Sequence, residues 1–178
     1  LSDDIYEKIL EKLQGKNIRA VVDASGELLL KVLKYKPFLV KPNNIELGNL
    51  FNVTIDTTEK AAEYALKLKE AGAVNVLVSM GEAGAVLVDE NGEIRTKSAF
   101  SGTVKNTVGA GDSMVAGFIY GWLEKGDYSY AVDMGISAGS ASTFSENLAT
   151  KEAGDRDRAN VSNMTFHHLI APHTPLPC

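Results

Sequence analysis

The sequence predicts an α/β fold: a mainly parallel sheet with one antiparallel hairpin, covered by helices on both faces. Three observations carry this. Short apolar runs, of which valine-rich Val74 to Met80 is the clearest, recur between stretches of helical period. Asn91-Gly92 is a strong hairpin signal between two further runs. Gly109-Ala110-Gly111 leads directly into a long helical stretch.

In chain order, Ser2 can cap a helix with Ile5, Tyr6, Ile9, Leu10 and Leu13 on one face, stopped by Gly15. Ile18 to Val22 reads as a short buried strand closing on Asp23-Ala24-Ser25-Gly26. A helix from about Glu27 to Tyr35 ends before Pro37, and Phe38-Leu39-Val40 is the next strand. Asp56 and Glu59 have the spacing of a capping box for a helix that stops at Gly72. Val74 to Met80, Ala85 to Asp89 and Glu93 to Lys97 follow as strands. The last two helices run from Gly109–Asp112 to about Glu124, and from Tyr128 to Glu146. After Ala149 the periodicity fails. Residues 1–152 therefore form the domain, while 153–178 read either as a disordered tail or as residues foreign to it, from a shifted frame or a cloning scar.

Composition narrows the chemistry. The 178 residues suffice for one domain with a sizeable core, at 44% hydrophobic and 23% charged residues. No apolar run is long enough to cross a bilayer, and no signal-peptide pattern opens the sequence. A net charge of −5 argues against nucleic acid or an anionic membrane as partner. The single cysteine, Cys178, allows no intrachain disulfide and suits a cytoplasmic protein. All the histidines, His167, His168 and His173, follow Glu152, so a general base in the body must be a carboxylate or a lysine. A Ser-His-Asp triad, a thiol nucleophile and a His/Cys zinc site are excluded there.

Ligands of α/β sheets gather at the carboxyl ends of strands, and three segments belong there. In Asn106 to Ser113, the small residues Gly109, Ala110 and Gly111 let backbone N–H groups approach an anion at a helix start. Asp112, in the first turn, can take the proton of an attacking hydroxyl. Read alone, the segment is equally a glycine-rich turn with Asp112 as an ordinary helix-start residue. In Lys41 to Glu46, Asn43 and Glu46 stand three apart at a helix start. Glu46 can hold Mg²⁺, Asn43 a phosphate or a metal-bound water, and Lys41 phosphate oxygens. Alone, this segment reads better as a Pro-then-Asn helix start beside a solvated lysine. Ser79 to Gly84 ends a strand in a turn with Gly81 and Gly84, open enough for a nucleotide to reach the backbone, or a plain β-turn. No GxxxxGK[ST] occurs, and Met114 stands where a dinucleotide fingerprint wants its third glycine, which disfavours a dehydrogenase.

Together these segments resemble the PfkB carbohydrate kinases of the ribokinase-like family. Asn106-Thr107-Val108-Gly109-Ala110-Gly111-Asp112-Ser113 is similar to that family's C-terminal signature, Lys41 to Glu46 to its Asn-x-x-Glu motif, and Ser79 to Gly84 to its ATP-contacting turn. Asp23-Ala24-Ser25-Gly26-Glu27 and Lys36 to Asn43 resemble its hexose-phosphate branch, the 1-phosphofructokinases and tagatose-6-phosphate kinases. The resemblance covers about residues 1–152 and implies a three-layer αβα sheet, incomplete at the N-terminus, whose substrates are ATP with Mg²⁺ and a small phosphosugar. It implies Asp112 as catalytic base and the backbone of Gly109, Ala110 and Gly111 as anion hole. Asn43 and Glu46 would then manage metal and phosphate. Lys41, Ser79, Gly81 and Gly84 would contact ATP, with adenine near Val104 and the helix reaching Asn147. It further implies a preceding portion with a lid that often forms a homodimer, so that the chain reads as a catalytic portion or as an inactive nucleotide-binding fragment. Nucleotide binding without turnover separates these two.

Overall fold

A computed structural model describes residues 4–145. The expectations for Ser2, Asn147 and the 153–178 tail lie outside the described residues. The described residues fall into two compact units, divided after Ser98.

The first unit runs α1 (Ile5–Leu13), β1 (Val21–Val22), α2 (Gly26–Leu33), β2 (Leu39–Val40), α3 (Asn44–Phe51), α4 (Thr58–Glu70), β3 (Asn75–Ser79), β4 (Ala85–Val88) and β5 (Ile94–Lys97). The strands lie in sequence order in one sheet. β1, β2 and β3 are parallel, each step bridged by helix, while β3–β4 and β4–β5 are antiparallel. The antiparallel part thus extends one strand beyond the Asn91-Gly92 hairpin. Met80 to Gly84 is too short for the crossover that a parallel β4 requires.

Alternation along the strands divides the side chains between two faces. Val22, Val40, Val76, Val78, Val86 and Val88 join one core with Leu10, Leu29, Val32, Leu33, Leu47, Ala61, Ala65 and Leu68 of α1 to α4. Leu39, Leu77 and Leu87 belong to the opposite face and are buried as well. That is why these strands read as continuous apolar runs. Each fully buried leucine contributes about 1.5–3 kcal/mol.

Several boundaries move. The strand expected from Ile18 begins at Val21, and Ile18 is 54% exposed. An apolar run does not reveal where its ladder partner starts; here Phe38 N–H, donating to Ala20 O, opens the pairing. The cap of α4 is Thr57, whose hydroxyl accepts the Lys60 N–H at 3.2 Å, and not Asp56. Asp56 instead pairs with the Lys60 ammonium. Thr57→Ala is expected to lower unfolding stability by about 1 kcal/mol, and Asp56→Ala by less, with the latter effect fading in salt. Urea melts of both variants measure the difference. At the β4–β5 turn, buried Asp89 accepts the Asn91 and Glu93 N–H groups and faces the Arg95 guanidinium, which closes the hairpin.

The second unit contains α5 (Ala110–Lys125) and α6 (Tyr128–Phe144). They pack antiparallel through glycines. Gly117 meets Met134 and Ala138, Gly121 meets Ala131 and Met134, and Gly135 and Gly139 meet Met114. The preceding stretch is tied to the end of α6, where Thr143 O accepts the N–H groups of Lys105 and Asn106 at 2.9 and 3.1 Å. Gly102 lies against the Phe144 ring. No described helix is long and apolar enough to cross a membrane.

Candidate active site

Each unit presents a set of candidate groups. In the first, β1, β2 and β3 run side by side, so their carboxyl ends share one edge. The register Val22↔Val40 makes Asp23 and Lys41 the next pair beyond the strands. Two residues further along the chain, Asn43 bridges Ser79 in parallel, and Ser79 N–H donates to Pro42 O at 3.1 Å. Lys41 and Ser79 therefore stand at the same edge. Lys41 is not a solvated lysine: it is 6% exposed, and its ammonium lies 3.3 Å from the Asp23 carboxylate. A buried ammonium requires such a counter-charge.

Asn43 and Glu46 form the capping box of α3. The Asn43 side chain accepts the Glu46 N–H, and Glu46 Oε2 accepts the Asn43 N–H, both at 2.8 Å. Asn44 adds a bond from Nδ2 to Ile55 O at 3.1 Å. These contacts fix which atoms remain for a ligand. Asn43 Oδ1 is engaged, while its amide N–H₂ group is free to donate to a phosphate oxygen. Glu46 keeps Oε1. Mg²⁺ typically takes one or two carboxylates and completes its shell with substrate phosphates and water, and the donors present fit that mode. Among the described residues no group of three or more His, Cys, Asp or Glu side chains is placed to hold a metal.

At the end of β3, Gly81–Ala83 forms a single 3₁₀ turn closed by Gly84, at φ 93° and ψ −122°. That backbone is open essentially to glycine alone. Met80 N–H donates to Gly84 O at 2.8 Å, and Gly84 N–H to Gly81 O at 3.0 Å. Gly81 to Ala83 are exposed, and Gly84 is buried.

In the second unit, Gly109 occupies the left-handed region, at φ 78°, and turns the chain into α5. Asn106 Oδ1 accepts the Val108 N–H at 2.9 Å and shapes the approach. Ala110 N–H donates to Thr107 O at 3.3 Å, and Ser113 N–H to Gly109 O at 2.9 Å. The first-turn donors left with no helical acceptor are Gly111 and Asp112, where the helix also presents its positive end. The Asp112 carboxylate is exposed beside them. Val104, 52% exposed, sits in the stretch held to Thr143.

Two features escaped sequence reasoning. Ser113 Oγ and Ser142 Oγ are 2.7 Å apart and join the start of α5 to the end of α6. Asp23 was visible only as part of a motif, because its pairing with Lys41 comes from strand register and not from any local signal.

The profile of the pfkB family carbohydrate kinases matches residues 1–153. The chain is 45% identical over 152 residues to the 1-phosphofructokinase of Bacillus subtilis, covering 85% of this chain and 50% of that protein. It is 32% identical over 161 residues to the D-tagatose-1-phosphate kinase of Bacillus licheniformis, covering 89% and 52%. It superposes on the crystal structure of Escherichia coli phosphofructokinase-2 in complex with potassium at a TM-score of 0.79 and 30% identity, over 92% of this chain and 54% of that one. The chain thus spans about half the length of the relatives it matches. Its α/β fold is the ribokinase-like one, shared with the ribokinase of Arabidopsis thaliana at a TM-score of 0.73 and 21% identity, over 83% of this chain and 48% of that one. By the extent of the profile match and the identity to these relatives, the chain belongs to the pfkB family of carbohydrate kinases.

Proposed function

We propose that this protein transfers the γ-phosphoryl group of ATP to a hexose phosphate, converting fructose 1-phosphate to fructose 1,6-bisphosphate. The observation that carries this reading is the first turn of α5, where two backbone donors without helical acceptors flank an exposed carboxylate. An anion site next to a proton acceptor is the pair of functions phosphoryl transfer needs. In the proposed reaction, Asp112 takes the proton of the acceptor hydroxyl as its oxygen bonds to the γ-phosphorus. The bond from that phosphorus to the β–γ bridging oxygen breaks, and ADP leaves. The first turn of α5, including the Gly109-Ala110-Gly111 backbone, stabilises charge on the transferring group. Lys41 and the Asn43 amide hold phosphate oxygens. Ser79, Gly81 and Gly84 meet the nucleotide, and Val104 lies near adenine. Glu46 would hold Mg²⁺, which when bound offsets phosphate charge.

A tagatose phosphate is the second reading of the acceptor, favoured by the Bacillus licheniformis relative. A cytoplasmic location and assembly as a homodimer belong to the same reading. The test is a calorimetric ATP–Mg²⁺ titration beside an ADP-release assay with fructose 1-phosphate and tagatose phosphates. ATP binding supports the nucleotide assignment, and its absence overturns it. Binding without turnover by any preparation of the protein identifies an inactive nucleotide-binding chain instead.

Glu46→Gln separates the two duties of that side chain. The glutamine carbonyl can still accept the Asn43 N–H, so the cap of α3 persists while the charge is lost. The expected result is a higher Mg²⁺ requirement for activity with nearly unchanged magnesium-free nucleotide binding. An unaltered Mg²⁺ titration removes Glu46 from the metal.

A further inference from the structure

We infer that Asp23 is a positioning residue that holds the Lys41 ammonium in place for the phosphates of the nucleotide. This rests on the assignment of Lys41 to those phosphates and goes beyond it, because Asp23 has no role in that assignment. Lys41 is buried at the carboxyl end of β2, and its ammonium is 3.3 Å from Asp23 at the end of β1. The Val22↔Val40 register aligns the two residues, so the pair follows from parallel strand pairing and not from a chance surface approach. The burial is unequal. The Lys41 side chain is 7% exposed and the Asp23 side chain 40%. The lysine thus sits in a fixed location at the sheet edge, with a carboxylate toward solvent on one side. An ammonium has three donors, and one directed at Asp23 leaves the others for a ligand.

A carboxylate that acts through Lys41 has an effect on ATP binding opposite in sign to simple charge repulsion. A carboxylate near a triphosphate repels it, so neutralising Asp23 should tighten ATP binding if Asp23 acts through its own charge. If it acts by holding Lys41, neutralising it weakens binding. The experiment is a double-mutant cycle on the full chain with Asp23→Asn, Lys41→Met and both together, read in two ways. In urea unfolding without nucleotide, Asp23→Asn should lower the midpoint in the Lys41 protein and change it little in the Lys41→Met protein, since a buried ammonium loses its partner only in the first. In ATP–Mg²⁺ titration, Asp23→Asn should raise Kd about tenfold, and the same change should have no effect in the Lys41→Met background. Asp23→Glu, which keeps the charge, should recover part of the binding.

Equal or tighter ATP binding by Asp23→Asn, or a loss that persists without Lys41, overturns the proposal. So does coupling in urea with unchanged ATP affinity, which would make the pair purely structural. If the unsubstituted chain binds no ATP, the functional assignment fails on its own terms, and the urea cycle still reports whether Asp23 holds Lys41.

Discussion

Replacing Asp112 with asparagine is expected to lower kcat by about 10²–10⁴-fold, the range associated with a general base, with ATP affinity nearly intact. The amide keeps the shape of the carboxylate and its place in the first turn of α5, but it cannot take a proton at neutral pH. The side chain is exposed and stands at a turn whose Gly111 and Asp112 N–H groups have no helical acceptor. Substitution therefore leaves no buried polar group unpaired, and folding should be unaffected. A loss in kcat with unchanged Kd for ATP assigns the residue to the chemical step. Near-normal turnover removes Asp112 from the base role and leaves it as a helix-start residue, while parallel losses in ATP affinity and thermal stability would point to the loop's shape.

Between α5 and α6, the largest expected effect on stability comes from Gly117→Ala. A Cβ at Gly117 would overlap the Met134 carbonyl oxygen and stand 2.8 Å from Cβ of Ala138. Backbone cannot swing aside as a flexible side chain does, so α5 and α6 must separate. Alanine is favoured over glycine inside a helix by about 1 kcal/mol, so any net loss means that the overlap costs more than that gain. The expected loss is about 3 kcal/mol, at the upper end for overpacking, or roughly 6–12 °C in Tm. The neighbouring glycines provide a graded control. The same atom would lie 2.9 Å from Met114 O at Gly135, and 3.2 Å from Ala110 O at Gly139. The order of loss should be Gly117, then Gly135, then Gly139, with the last near zero. Thermal melts of the three variants check the ranking, and an inverted order means that the helices do not meet through these positions.

Much of the fold was legible because its signals are local. Valine-rich β3, the Asn91-Gly92 turn and the glycine-rich entry to α5 each carry their identity within a few residues, and the structure has an element at each. The Asn43/Glu46 spacing also pointed to a helix start. That these two residues cap each other, and so have only some atoms free for a ligand, was not legible, because the same spacing suits a ligand pair. At α4 the error ran the other way. Asp56 and Glu59 have capping-box spacing, yet Thr57 is the cap, since the competition between adjacent polar residues depends on where the backbone enters the helix.

The sequence by itself determined the kinds and order of the elements, the exclusion of histidine and thiol chemistry from residues 1–152, and the three segments that match a kinase family. Only the tertiary structure decided which groups meet. It set Lys41 against Asp23, joined Asn43 to Ser79 in the ladder, and brought Gly117 onto the Met134 backbone. The physical reason is range. Periodicity, capping and turn chemistry act between residues a few positions apart, so a single sequence displays them. Strand register and helix contact are selected by packing among residues far apart in the chain, and a residue's type states what it can pair with but not which partner the fold brings to it.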